Sequence, residues 1–199
     1  MFTGIIESLG TIKAIQREQQ NIHYEIASSI SNELKIDQSV SHNGVCLTVT
    51  SVNEGSHTVT AIHETLVKTN LGDWEVGSVV NLERCMPANG RFDGHIVQGH
   101  VDQIGTCLSV EDEKGSWKYT FSYDEESTGN ITVEKGSICI NGVSLTVVNS
   151  QKGQFSVAII PYTYEHTNFH QLQAGSIINL EFDIVGKYMK ALLARQQQS

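Results

Sequence analysis

Two stretches of this chain repeat each other, and the repeat limits the fold more than any other feature. Residues 39–50 (Ser-Val-Ser-His-Asn-Gly-Val-Cys-Leu-Thr-Val-Thr) align at an offset of 98 with 137–148 (Ser-Ile-Cys-Ile-Asn-Gly-Val-Ser-Leu-Thr-Val-Val), and seven of the twelve positions are identical. The same offset aligns 69–83 with 167–181, again with seven identities, including Asn81-Leu82-Glu83 and Asn179-Leu180-Glu181. At an offset of 95, residues 4–11 match 99–106. Three blocks in one order describe two homologous modules. The change of offset places a loop indel between the first two blocks. The first module covers 1–87 and the second 96–183. Residues 88–95 join them, where Asn89-Gly90 and Asp93-Gly94 are turn dipeptides.

Each module reads as β. Short β-branched runs bounded by Gly, Asn or Asp fall at 45–52, 57–62 and 78–83, and again at 143–148, 155–160 and 176–182. Asn43-Gly44 and Asn141-Gly142 each precede a strand as tight-turn signals. Only two prolines, Pro87 and Pro161, interrupt the chain. Small modules of many short strands favour closed or nearly closed antiparallel barrels, which remove exposed edges. The tail differs: Ile184, Val185, Tyr188, Met189, Leu192 and Leu193 recur at helical spacing over 184–199. That apolar stripe either caps its own barrel or packs on another subunit.

Charge and motifs exclude several classes. Thirteen basic against 22 acidic residues give a net charge of −9, a poor match to nucleic-acid phosphates or an anionic membrane. No apolar run is long enough to cross a bilayer, and Met1-Phe2-Thr3-Gly4 does not open a signal peptide, so a cytoplasmic protein is expected. Cys46, Cys85, Cys107 and Cys139 form no CxxC pair, and no metal site is expected. GxGxxG, GxxxxGK[ST] and GxSxG are all absent. A duplicated module duplicates its pocket, so differences between the copies are informative. Cys46 aligns with Ser144, Ile5 with His100, and Glu64-Thr65 with Tyr162-Thr163.

These blocks resemble the riboflavin synthase family, alpha-chain type, built of lumazine-binding domains. The resemblance rests on Met1-Phe2-Thr3-Gly4-Ile5-Ile6-Glu7, His42-Asn43-Gly44-Val45-Cys46-Leu47-Thr48-Val49, Glu64-Thr65-Leu66 with Thr69-Asn70-Leu71-Gly72, Gly94-His95 with Gly99-His100, and Asn141-Gly142-Val143-Ser144-Leu145-Thr146. It implies an all-β chain of two homologous six-stranded antiparallel Greek-key barrels plus a C-terminal α-helix. It also implies a homotrimer assembled through those helices, with a functional contact to lumazine synthase. The implied reaction needs no cofactor. Two molecules of 6,7-dimethyl-8-ribityllumazine exchange a four-carbon unit, giving riboflavin and 5-amino-6-(ribitylamino)uracil.

The family's ligand positions carry over where the motifs match. For the first barrel they are Gly4, Ile5 and Ile6, then Cys46, Leu47 and Thr48, then Thr60, Ala61, Ile62, His63, Glu64 and Thr65. For the second they are Gly99, His100 and Val101, then Lys135, then Ser144, Leu145 and Thr146, then Ile160, Pro161, Tyr162, Thr163, Tyr164 and Glu165. Backbone groups are expected to bond the pteridine edge like an added strand. His100 and Ser144 are expected to move protons, with Thr146 orienting. Cys46 is expected to add to C7 of the acceptor ring or to activate the water that does, for which its thiol needs local activation. Phe2 and Thr3 are expected to close the shared site. Asn141 stands where many family members carry Asp, and an amide is no base. Three other readings are a non-catalytic lumazine or flavin carrier, a flavin-binding reductase domain and an OB-like nucleic-acid module. Retention of Cys46, His100 and Ser144, the absence of room for a nicotinamide domain and the acidic charge argue against them in turn.

Overall fold

The computed structural model describes residues 1–196. Six strands, β1 (Ser8–Glu18), β2 (Asn21–Ser28), β3 (Ser39–His42), β4 (Val45–Asn53), β5 (Ser56–Ala61) and β6 (Val79–Arg84), close into an antiparallel barrel in the order β1-β2-β5-β4-β3-β6. The second module repeats this path. Its strands β7 (Gln103–Asp112), β8 (Trp117–Tyr123), β9 (Ser137–Ile140), β10 (Val143–Gln151), β11 (Gln154–Ile159) and β12 (Ile177–Phe182) close in the equivalent order β7-β8-β11-β10-β9-β12.

The sequence shows why both barrels close. Asn43 and Gly44 take φ of +47° and +81°, and Asn141 and Gly142 take +46° and +83°, as two-residue hairpin turns require. Register shifts at Ile12/Ala14 and Cys107/Ser109 bend corresponding long strands around the barrels. The same shifts break the alternation of polar and apolar residues, so β1 and β7 were not legible as strands. Alternate residues face inward. Ile12, Tyr24, Ile26, Val40, Val49, Val59 and Leu82 fill one core, and Tyr119, Phe121, Ile138, Ile140, Val147, Phe155, Phe169 and Leu180 fill the other. Each core carries one buried tyrosine that donates to a loop carbonyl: Tyr24 to Leu71 at 2.6 Å and Tyr119 to Phe169 at 2.9 Å.

The barrels meet about an approximate two-fold relation. Phe2 and Val97 exchange backbone hydrogen bonds of 2.7 and 3.1 Å. Around them, buried asparagines bond reciprocally. Asn81 donates its amide to the Asn141 carbonyl at 2.9 Å, and Asn179 donates to the Asn43 carbonyl at 3.0 Å. Asn43 Oδ1 accepts from the Asn81 N–H at 2.7 Å, and Asn141 Oδ1 accepts from the Asn179 N–H at 2.9 Å. The amide at position 141 therefore has a structural use that its partner Asn43 shares. These bonds satisfy buried polar groups that would otherwise cost about 1–3 kcal/mol each.

Short helices α1 (His63–Lys68), α2 (Glu125–Thr128) and α3 (Pro161–His166) interrupt the strands, and α4 (Ile184–Gln196) ends the described chain. Residues 197–199 of the expected terminal segment lie outside the described residues. No residue of α4 is buried, and Val185, Tyr188, Met189, Leu192 and Leu193 are all more than half exposed. The helix is tied to the second barrel by the Lys187–Asp102 ion pair at 2.8 Å and by Lys190 donating to the Thr128 carbonyl. It does not cap its own barrel with its apolar stripe.

Candidate functional site

The site starts where two hydrogen-bonded strands part. β4 pairs with β5 only from Val49 and Val59 onward. Before that point, residues Val45–Thr48 of β4 pair with β3 alone. Along a strand, backbone groups alternate sides. The Val49 N–H points to β3, donating to Gln38, whereas the Cys46 N–H points away from it. Thr48 shares the direction of Cys46, so its backbone faces the opening. The second barrel repeats this: β10 pairs with β11 from Val147 and Val157, and Ser144 and Thr146 flank the opening. Residues 60–65 and 160–165 lead away from the other side of each gap and run into α1 and α3.

A crossing segment enters each gap, and it comes from the opposite module. The Cys46 N–H donates to the Gly99 carbonyl at 2.9 Å, and the Ser144 N–H donates to the Gly4 carbonyl at 2.8 Å. Val101 packs against the first core and Ile6 against the second. The expected grouping is therefore reversed. Gly4, Ile5 and Ile6 join Ser144, Leu145 and Thr146, while Gly99, His100 and Val101 join Cys46, Leu47 and Thr48. A repeat alignment shows which residues correspond but not which copy a segment packs on. The expected strand-like ligand bonding is also narrowed, since the N–H groups of Cys46 and Ser144 already have protein acceptors.

Buried carboxylates hold the crossing segments. Glu83 accepts from the Thr3 N–H at 2.6 Å, the Thr3 hydroxyl at 2.8 Å and the Gly4 N–H at 2.9 Å. Glu181 accepts from the N–H groups of Gln98, Gly99 and His100 at 2.7–2.9 Å. Burial raises both carboxyl pKa values, and these hydrogen bonds oppose it. Phe2 is fully buried and packs with Val97, Cys139 and partly buried Cys46 at the junction. Thr3 is buried beside it. Neither is a frayed terminus.

Residues directly opposite on paired strands share a face. Ser39 faces Thr48 and Ser41 faces Cys46, while Ser137 faces Thr146 and Cys139 faces Ser144. Each barrel thus presents one cysteine and one serine in exchanged positions, with threonine beside a second serine. A surface cleft of about 380 Å³ adjoins this face in the first barrel, lined by Glu7, Glu33, Gln38, Ser39, Arg84, Cys85 and Pro87. A cleft of about 610 Å³ in the second barrel includes Ile131, Gly136, Ser137, Phe182, Asp183 and Val185. At the offset of 98 these are the equivalents of Glu33, Gln38, Ser39, Arg84, Cys85 and Pro87. The duplication has reproduced the cleft with different chemistry. In the first, Arg84 is forked by Glu7 at 2.6 Å and Glu33 at 2.7 Å. The second is largely apolar, with Asp183, Lys187 and Lys190 also lining it, and extends along α4 to Met189 and Leu193. Both volumes suit small-molecule ligands.

The reactive side chains are not arranged as expected. His95, which sequence reasoning left in the linker, brings Nδ1 to 2.7 Å from Ser144 Oγ. His100 instead lies exposed on the segment that covers Cys46. Burial pushes the Cys46 thiol above its usual pKa, opposed by a hydrogen bond with Ser39. This is the reverse of the activation a cysteine nucleophile needs. Lys135 has φ of +65° in the turn that leads into β9, and its N–H donates to the Val147 carbonyl at 3.0 Å. Ala61 is buried in the first core, while Ile62, His63, Glu64, Ile160, Pro161, Tyr162 and Glu165 are exposed around the gaps and Thr60, Thr65, Thr163 and Tyr164 are partly buried. Tyr164 stacks on Trp117 with ring centroids 3.9 Å apart. Among the described residues, no group of three or more His, Cys, Asp or Glu could hold a metal ion.

The model of the lumazine binding domain matches twice, over residues 3–85 and 98–183. Riboflavin synthase of Actinobacillus pleuropneumoniae is 43% identical over 197 residues, covering 98% of this chain and 91% of that protein. The chain belongs to the riboflavin synthase family. Riboflavin synthases of Bacillus subtilis (strain 168) and Saccharomyces cerevisiae are 38% and 36% identical, covering 100% and 96% of this chain and 93% and 85% of theirs. Among solved structures, LumP complexed with riboflavin superposes with a TM-score of 0.84 at 24% identity, over 91% of this chain and 98% of that one. LumP complexed with 6,7-dimethyl-8-(1'-D-ribityl) lumazine gives 0.83 at 22%, over 92% and 99%. These two likenesses establish the fold.

Proposed function

We propose that each barrel gap, with its adjoining cleft, takes one 6,7-dimethyl-8-ribityllumazine. The chain is an enzyme of riboflavin biosynthesis that transfers a four-carbon unit between two lumazines, yielding riboflavin and 5-amino-6-(ribitylamino)uracil. The observation that carries the two-site reading is the paired gap. A reaction between two identical molecules calls for two related pockets, and the chain has an equivalent opening in each barrel. Thr48 and Thr146 present backbone groups to the openings, and residues 60–65 and 160–165 flank them.

The chemistry asks for the loss of one proton from the C7 methyl of the donor, whose anion delocalises into the ring. The other ring must then be open to attack at C7. Holding the rings together in a near-attack geometry contributes on the order of 7–11 kcal/mol. The largely apolar second cleft suits a neutral ring, Ser137 lines it, and Ser144 and Thr146 stand at the gap it adjoins. Cys46 lines the first gap as a neutral thiol.

The apolar stripe of α4 needs a cover, and we assign it to two further copies in a homotrimer. In that assembly 1–87 and 96–183 are the lumazine-binding barrels and 184–199 is the oligomerisation element. A cytoplasmic location and a contact with lumazine synthase, the source of its substrate, complete the proposal. Among the described residues, no helix is long and apolar enough to cross a membrane.

Equilibrium dialysis with riboflavin, which does not react further, tests the paired sites. Two molecules bound per chain at saturation is the expected result, with Thr48→Trp and Thr146→Trp each losing the site of its own gap. One site per chain that survives both substitutions would refute the pairing.

A further inference from the structure

The contact between His95 and Ser144 lies outside the repeat. Ser144 has a counterpart in Cys46, but among the described residues no imidazole meets the Cys46 thiol, which is hydrogen-bonded with Ser39 instead. The linker places His95 deliberately. Its N–H donates to the Thr3 carbonyl at 3.1 Å, and Thr3 is itself fixed by Glu83. Gly94 is pressed so closely on this corner that a Cβ there would stand 2.0 Å from the Thr3 oxygen and 2.8 Å from Ser144 Cβ. Only glycine lets the next residue reach the hydroxyl. The imidazole is partly buried, which lowers its pKa, while the nearby Asp183 charge raises it. It is therefore neutral near pH 7, when Nδ1 can accept the Ser144 proton in the Nε2–H tautomer.

We propose that His95 is the positioning residue through which Ser144 takes a proton in the second barrel. This rests on the lumazine reading above. In the step, a C–H bond of the C7 methyl breaks and its electron pair remains on the substrate, spread over the ring. The proton forms a new O–H bond at Ser144 Oγ, and the proton already on Oγ moves to His95 Nδ1. The imidazolium returns its proton when the product ring is protonated. No oxidant, metal or further reactant enters. Cys46 has no such partner, so the two gaps divide the work: proton removal at the second, acceptance at the first.

The test uses the full-length chain and follows two signals by NMR in D₂O: deuterium entry into the C7 methyl of 6,7-dimethyl-8-ribityllumazine, and riboflavin formation in a single turnover. Lumazine affinity is titrated in parallel by its fluorescence, and melting temperature controls for folding. In His95→Ala, methyl exchange and turnover should both slow about 100-fold, the lower end of general-base contributions, with affinity changed less than threefold. His95→Asn keeps a hydrogen-bonding group beside Oγ but cannot take the proton, so it should stay slow. Exchange in His95→Ala within threefold of the parent chain overturns the proposal. So does recovery in His95→Asn, which would reduce the contact to support of the loop. A parent chain that neither exchanges the methyl nor forms riboflavin would instead overturn the lumazine reading itself.

Discussion

Gly4 and Gly99 occupy the same place in the two halves, each with φ near +79° and each pressed against the first residues of the opposite strand hairpin. A Cβ on Gly99 would lie 2.6 Å from Cys46 Cβ and 2.8 Å from the Phe2 ring. Gly77, with φ of +95°, has nothing within 4 Å and serves as a control. Both Ala variants bear left-handed strain of about 1–2 kcal/mol, but only Gly99→Ala also displaces the crossing segment. Urea unfolding should show Gly99→Ala to be the less stable by at least about 1 kcal/mol, with riboflavin formation reduced only in that variant. At a second point on the same segments, Glu181→Ala strands the buried Gly99 N–H and the partly buried N–H groups of Gln98 and His100. It should cost about 1–3 kcal/mol, again read by urea unfolding. The repeat displayed Glu83 and Glu181 in plain view. Their use was not legible because their partners lie some 80 residues away. His95 was hidden for a different reason: it has no copy to be compared with.

Strands reveal a chemical asymmetry that the fold conceals. On β3 and β5, His42 and His57 are buried with Nε2 atoms 2.9 Å apart, and their outer nitrogens meet the Val40 carbonyl at 3.0 Å and Ser31 Oγ at 2.9 Å. The corresponding residues of β9 and β11 are Ile140 and Phe155. Burial pushes His42 down to about 3, with His57 adding repulsion, and pushes His57 down to about 4. An unfolded histidine titrates near 6.5, so below that pH the unfolded chain binds protons that the folded barrel refuses. The stability of the neutral pair is complete above pH 6.5 and is lost as pH falls toward 4, at about 1.4 kcal/mol per unit per histidine. His42→Ile with His57→Phe should flatten the denaturation midpoint between pH 6.5 and 4.5 relative to the parent. An unchanged slope would show that other groups govern acid stability. Helix α4 was legible from its spacing, and so was its apolar stripe. The structure adds that the stripe is uncovered. If the proposed assembly covers it, Tyr188→Glu with Leu192→Glu should leave monomers where the parent chain sediments as a trimer, with the barrels still folded by circular dichroism; a parent chain that sediments as a monomer would contradict that assembly.

For the whole molecule, duplication explains more than the symmetry of the drawing. Two equal barrels were readable because Asn-Gly turns and flanking strands recur at one offset. The reciprocal exchange of leading segments was not, since it depends on Phe2 pairing with Val97 and on asparagines bonding across the junction. That exchange makes each gap a joint product of both modules, so neither opening is complete without the other half of the chain. The two openings have unequal chemistry, one bearing a thiol and an ion-paired cleft, the other a serine with a histidine and a largely apolar cleft. Such a pair suits a reaction that treats two identical molecules differently. The most direct measurement is the absorbance spectrum of 6,7-dimethyl-8-ribityllumazine mixed with the purified chain and nothing else added. One mole of riboflavin for every two moles of lumazine consumed is the predicted result. A shifted lumazine spectrum that persists without riboflavin would contradict the account and mark the chain as a carrier.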